Sequence, residues 1–103
     1  MIDRELLKAA AKAAGLTIGF TPHTDECYVI EGGEAIAWWN PLTDDGDAMR
    51  LAVWLGMTVQ RGLHVQKVFV GINYELAHEL IGTDPCAATR RAIVRAAAAT
   101  VKA

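Results

Sequence analysis

Apolar residues recur along this chain with two different periods, and the switches between them mark out its elements. From Asp3 to Ala14, Leu6, Leu7, Ala10, Ala13 and Ala14 share one side of a 3.6-residue repeat, while Arg4, Glu5, Lys8 and Lys12 gather on the other. That spacing predicts an amphipathic helix, opened by Asp3 as N-cap and closed by a left-handed Gly15. Between Leu16 and Trp39 the period shortens. Thr17–Phe20, Cys27–Ile30 and Ala35–Trp39, separated by the Thr21–Asp25 loop and the Gly32-Gly33 turn, predict two or three short antiparallel strands. Both glycines accept the positive φ of a tight hairpin turn. Successive strand residues face opposite ways, so at least one of Trp38 and Trp39 is expected in the core.

Asn40-Pro41 breaks this pattern, and the run Thr43–Asp47 opens a second helix that reaches about Leu55, with Gly56 ending it. Its inner stripe is Ala48, Leu51, Ala52 and Leu55, flanked by Met49 and Val53. Asp47, Arg50 and Trp54 are expected to project outward together, and an outward tryptophan is the unusual member of that set. Met57–Arg61 and Val65–Ile72, separated by Gly62-Leu63-His64, predict a second, half-buried hairpin. Tyr74–Ile81 fits both strand alternation and a short helix, and the alternation is preferred. Asp84-Pro85 is a helix start, with proline at the position where its missing N–H costs nothing. That helix runs to about Val101, with Cys86, Ile93, Val94, Ala97 and Val101 on its apolar side and Arg91, Arg95 and Lys102 opposite. Arg90 intrudes on the apolar side. A buried guanidinium is costly unless paired, so an ion pair with Asp44, Asp45 or Asp47 is expected. The order α-β-β-α-β-β-(β)-α, with no internal repeat, predicts one α+β domain over residues 1–103: an antiparallel sheet with three helices.

Hydrophobic residues at 52% and charged residues at 21% exclude a disordered chain, and a net charge of −2 excludes a basic field that would gather nucleic acid or an anionic membrane from a distance. No apolar stretch approaches the ~20 residues of a membrane-spanning helix. Two cysteines with neither metal-ligand nor disulfide-framework spacing point to a reducing cytoplasm and free thiols. The aspartates Asp44, Asp45 and Asp47 have the chemistry of a hard-cation site, yet a helix start explains them without a metal. Cys86 at a helix N-terminus has no base tied to it, and its apolar position reads as a small buried hydrophobe. His23, His64 and His78 share no ligand spacing, and neither a phosphate loop nor a catalytic elbow is present. The expectation is a non-enzymatic chain with no cofactor. Two surfaces remain: Trp54 with Arg50 and Asp47 as a protein interface, for a partner or for self-association, and Arg91, Arg95 and Lys102 as a stripe able to contact nucleic acid.

The segments Trp39–Val53 (WNPLTDDGDAMRLAV) and Asp84–Ala98 (DPCAATRRAIVRAAA) resemble small phage and prophage proteins of the phage ABA-sandwich domain family. The two segments cover roughly a third of the chain, and neither has a catalytic meaning in that family. The resemblance implies an α/β/α sandwich, a temperate-phage or prophage origin, hence a bacterial cytoplasm, and no assigned activity. The chain departs from the family in carrying Trp54 where a charged residue is usual, and in the ending Ala99-Thr100-Val101, which replaces a more polar one.

Overall fold

The computed structural model describes residues 2–62 and 66–101. In chain order the elements are α1 (Asp3–Ala14), β1 (Thr17–Phe20), β2 (Cys27–Glu31), β3 (Glu34–Trp38), α2 (Asp45–Trp54), β4 (Thr58–Arg61), β5 (Lys67–Ile72), β6 (Tyr74–Leu80) and α3 (Pro85–Ala99). The class is α+β, as the hydrophobic pattern predicts. Residues 74–80 form a strand, and the segment before α2 holds three strands. Leu63, His64, Val65 and Lys102, on which a loop, a strand start and part of the basic stripe were expected, lie outside the described residues.

Three details differ from expectation. The residue preceding α1 is Ile2, and Asp3 is already helical, so its carboxylate serves the first turn as a charge rather than as a cap. Helix α3 ends at Ala99, two residues earlier than its apolar pattern suggests. The strands also form two separate three-stranded antiparallel sheets, β1-β2-β3 and β4-β5-β6, rather than one.

The two sheets are built alike, which corrects the expectation that the chain has no internal repeat. Thr17 pairs with Ile30 and Phe20 with Cys27; 41 residues further on, Thr58 pairs with Gly71 and Arg61 with Val68. Both second hairpins carry a bulge at the same place, between Val29 and Ile30 and between Val70 and Gly71. Gly15 and Gly56 close α1 and α2 with φ of 74° and 65°, and in each case the next residue donates its N–H back into the helix, Leu16 to Ala11 and Met57 to Ala52. Asp44 and Asp84 each cap a helix by accepting the N–H three residues on. The buried sets of α1 and α2 also correspond: Leu6, Leu7, Ala10, Ala11 and Asp47, Ala48, Leu51, Ala52. The chain is thus helix–three strands–helix–three strands–helix, with identical side chains at few of the matching positions.

Helix α3 is the hub. It packs against α1, α2, β5 and β6, with Ala92, Val94, Ala96 and Ala97 wholly buried. Its small side chains let neighbours come close, and Val68, Val70 and Ala77 of the second sheet complete the core. Arg90 ties α3 to the start of α2: Nε donates to the Leu42 carbonyl at 2.9 Å, and Nη1 lies 2.6 Å from Asp45 Oδ1. The hydrogen bond to Asp45 holds this guanidinium above its ordinary pKa. Of the three aspartates on offer, the structure pairs Arg90 with Asp45.

Replacing Arg90 with alanine leaves the Leu42 carbonyl without its donor and should cost about 1–3 kcal/mol in urea unfolding. Lysine should recover only part of that, because an ammonium cannot reproduce the two-armed contact. An alanine variant as stable as the wild type would show that the clamp carries no stability.

Candidate functional site

The connection from β3 into α2 brings the sequence-predicted residues Asp47, Arg50 and Trp54 close to features that the sequence does not announce. Asn40 and Pro41 turn the chain, and Asp44 accepts the Asp47 N–H at 2.9 Å. Asp47 does not project outward. Its exposure is 8%, because its carboxylate serves the turn: Oδ2 accepts the Asn40 N–H at 2.9 Å and Oδ1 accepts from Arg50 Nη2 at 2.6 Å. An aspartate here satisfies a backbone donor, and Arg50 balances the charge. Arg50 itself is exposed and draws within 4.0 Å of Asp44.

Between this turn and the first sheet lies a cleft of about 440 Å³, walled by Trp38, Trp39, Asn40, Asp47 and Arg50, with Cys27 also on its lining. The adjacent tryptophans part as strand geometry requires: Trp39 is 3% exposed and Trp38 is 65% exposed. The buried Trp39 Nε1–H has no acceptor among the described residues. Trp38 meets Tyr28 edge-on, with ring centroids 6.3 Å apart, and Ile36 beside it is exposed. Tyr28 in turn lies over Gly19, where a Cβ would come within 2.8 Å of the ring. This aromatic patch escaped the sequence reading because β3 alternates like any half-buried strand, whereas all five of its residues are exposed.

The outer side of α2 is apolar. Met49 and Val53, expected as flanks of the inner stripe, are exposed together with Trp54, and Arg50 lies among them. The reason is that α2 buries a narrow stripe, Asp47, Ala48, Leu51 and Ala52, and contacts α3 on that side.

The remaining candidates are engaged elsewhere. Arg91 Nη1 lies 3.1 Å from Asp3, while Arg95 donates to the His78 carbonyl at 3.0 Å and bonds Glu79. Asp44 caps α2, Asp45 holds Arg90 and Asp47 holds Arg50, so the three carboxylates do not converge. Among the described residues no group of three or more His, Cys, Asp or Glu is arranged to hold a metal ion. His78 Nδ1 lies 3.0 Å from Glu75, and His23 is exposed. Cys86 is exposed rather than buried, because the first turn of α3 extends beyond the core that Ala92–Ala97 form. Cys27 is buried; burial first, and then the charges of Asp25 and Asp47, push its thiol from the ordinary 9.0 up to about 11. A thiol so placed is a packing group, not a nucleophile.

No family model, curated protein or solved structure matches this chain. Among the described residues no helix is long and apolar enough to cross a membrane.

The two cysteines should react very differently at neutral pH: Cys86 quickly with a maleimide, Cys27 only on unfolding. The raised thiol also sets a direction in pH. Its contribution to stability is full below about pH 9 and is lost as pH rises towards 11, on the order of 2–3 kcal/mol over that window. Chemical denaturation at pH 8 and pH 10.5 should therefore show a smaller pH-dependent loss for Cys27→Ala than for the wild type. Equal losses would place the Cys27 thiol in contact with solvent.

Proposed function

We propose that this chain is a small protein-binding module without enzymatic activity, working through the outer face of α2 and the neighbouring cleft. The observation that carries this reading is that Met49, Val53 and Trp54 are each more than half exposed on one helix face. Apolar side chains grouped around an arginine that is already oriented by Asp47 have the composition of an interface centre, in which tryptophan and arginine dominate binding energy. A tryptophan offers a large contact area with only two torsions to freeze.

The resemblance of Trp39–Val53 and Asp84–Ala98 to phage proteins supports a phage or prophage origin and a role in the bacterial cytoplasm. Those two segments contain α2 and α3 except for the last residue of each. Binding through α2 is favoured over nucleic-acid binding through α3, since Arg91 and Arg95 already meet Asp3 and Glu79 and the chain carries net negative charge.

Trp54→Lys tests the reading. Its side chain lies outside the core, so stability should change by no more than about 0.5 kcal/mol. Self-association or capture of a host protein should fall at least about tenfold, as for a central interface residue. A variant that keeps both activities would remove α2 as the binding surface.

A further inference from the structure

The cleft between the first sheet and the start of α2 carries side chains that its turn does not require. The second sheet meets α3 through a junction of the same build, with Asp84 capping α3 as Asp44 caps α2. In that junction the pairing register sets Lys67 where the cleft has Glu26, and His78 where it has Trp38. A sheet-to-helix junction of this kind therefore forms without an acid at the first position or an indole at the second. In the cleft the carboxylates of Glu26, Asp44 and Asp47 face one guanidinium, that of Arg50, which leaves two negative charges uncompensated. Arg50 is turned towards Asp47 at 2.6 Å, and one oxygen each of Glu26 and Asp44 has no hydrogen-bond partner among the described residues. The negative field reaches the buried Cys27 thiol on the lining, which burial and then the charges of Asp25 and Asp47 hold in its protonated form. Trp38 adds an exposed ring, kept in place by the edge-on Tyr28. The buried Trp39 N–H, without an acceptor among the described residues, belongs to the same wall.

We propose that this cleft receives an arginine side chain presented by a segment of a partner protein, with the guanidinium on the Trp38 ring between Glu26 and Asp44. This rests on the protein-binding reading above and names the chemistry of the partner. An aromatic face attracts a cation, and the attraction strengthens where carboxylates flank the ring. A guanidinium suits the place better than an ammonium, because it is flat enough to stack on an indole and bonds a carboxylate through two N–H groups at once. The peptide matters as well as the charge. A bare cation brings no acceptor, whereas a main-chain carbonyl entering beside the arginine offers one to Trp39 and to Arg50. The volume of about 440 Å³ falls within the range of ligand-binding clefts, roughly 300–1,000 Å³.

Heteronuclear NMR titration of the full chain with acetyl-Gly-Arg-Gly-amide provides the test. Two controls accompany it: the citrulline peptide, which keeps the shape and loses the charge, and guanidinium chloride, which keeps the charge and loses the carbonyl. The arginine peptide should shift the indole N–H signals of Trp38 and Trp39 saturably and leave that of Trp54 in place. It should bind at least about tenfold more tightly than either control. Glu26→Gln and Asp44→Asn should each weaken it about two- to fivefold, and Trp38→Ala at least about fivefold. Asparagine still caps α2, so the far-ultraviolet circular dichroism of Asp44→Asn should match the wild type. The absence of a saturable shift, equal binding of the citrulline peptide, or shifts confined to Trp54 would overturn the inference. Guanidinium binding as tightly as the peptide would overturn it too, since the carbonyl would then play no part. If the arginine peptide fails to bind while capture of a host protein still depends on Trp54, this inference falls and the protein-binding reading stands. Capture indifferent to Trp54→Lys removes the outer face of α2, and the peptide titration still decides the cleft.

Discussion

Close packing of α3 is the constraint on which the rest of this structure depends. A helix that touches two other helices and a sheet at once must be thin on several sides, and alanine is the side chain that allows it. Ala92, Ala96 and Ala97 are wholly buried, as are Ala10 and Ala11 on the facing apolar side of α1. Larger residues at these places would push the layers apart and expose Val68, Val70 and Ala77 of the second sheet. The larger buried side chains, Leu51, Val70 and Val94, fill the space between these close contacts. Polar groups at the rim then hold the approach angles: Arg90 on Leu42 and Asp45, Arg91 on Asp3, Arg95 on His78 and Glu79.

The repeat explains why one helix became the hub. Two equivalent helix–sheet units share a chain, and the third helix finishes the second unit while also receiving α1 and α2 from the other side. Pairing register, bulge position and helix stops are retained between the units, because backbone hydrogen bonding allows few alternatives at those places. Side chains that only face solvent or a neighbour have diverged. Phe69 and His78, with centroids 6.2 Å apart, stand where the first sheet has Tyr28 and Trp38 at 6.3 Å, so the ring pair persists in spacing while its interplanar angle, 46° against 81°, and its chemistry differ.

Around α2 the balance runs the other way. Asp47 is a carboxylate in a nearly buried position, tolerable because a backbone donor and a guanidinium meet its two oxygens. That arrangement fixes the turn after β3 and orients Arg50 among the apolar side chains of the outer face. Neighbouring residues therefore face opposite ways: Asp47 inward, Arg50 and Trp54 outward.

Local order in this protein was legible in the residues themselves. The amphipathic spacing of α1, the Asp84-Pro85 start of α3, the left-handed Gly15 and the Gly32-Gly33 turn depend on interactions spanning only a few residues, and all four lie where the pattern puts them. The outward position of Trp54 follows from the same short-range geometry. The division of the strands into two sheets, the repeat, the burial of Asp47, the exposure of Met49, Val53 and Cys86, and the cleft beneath Trp38 were settled only by tertiary structure. Each of these depends on which side of an element a distant segment covers. Period specifies that a helix has an apolar stripe; how wide a stripe is buried depends on the number of neighbours, and α3 has four where α2 has chiefly one. Matching units that share hydrogen-bond geometry but few side chains leave little residue-for-residue similarity to detect, because backbone N–H and C=O groups pair in the same way whatever side chains they carry.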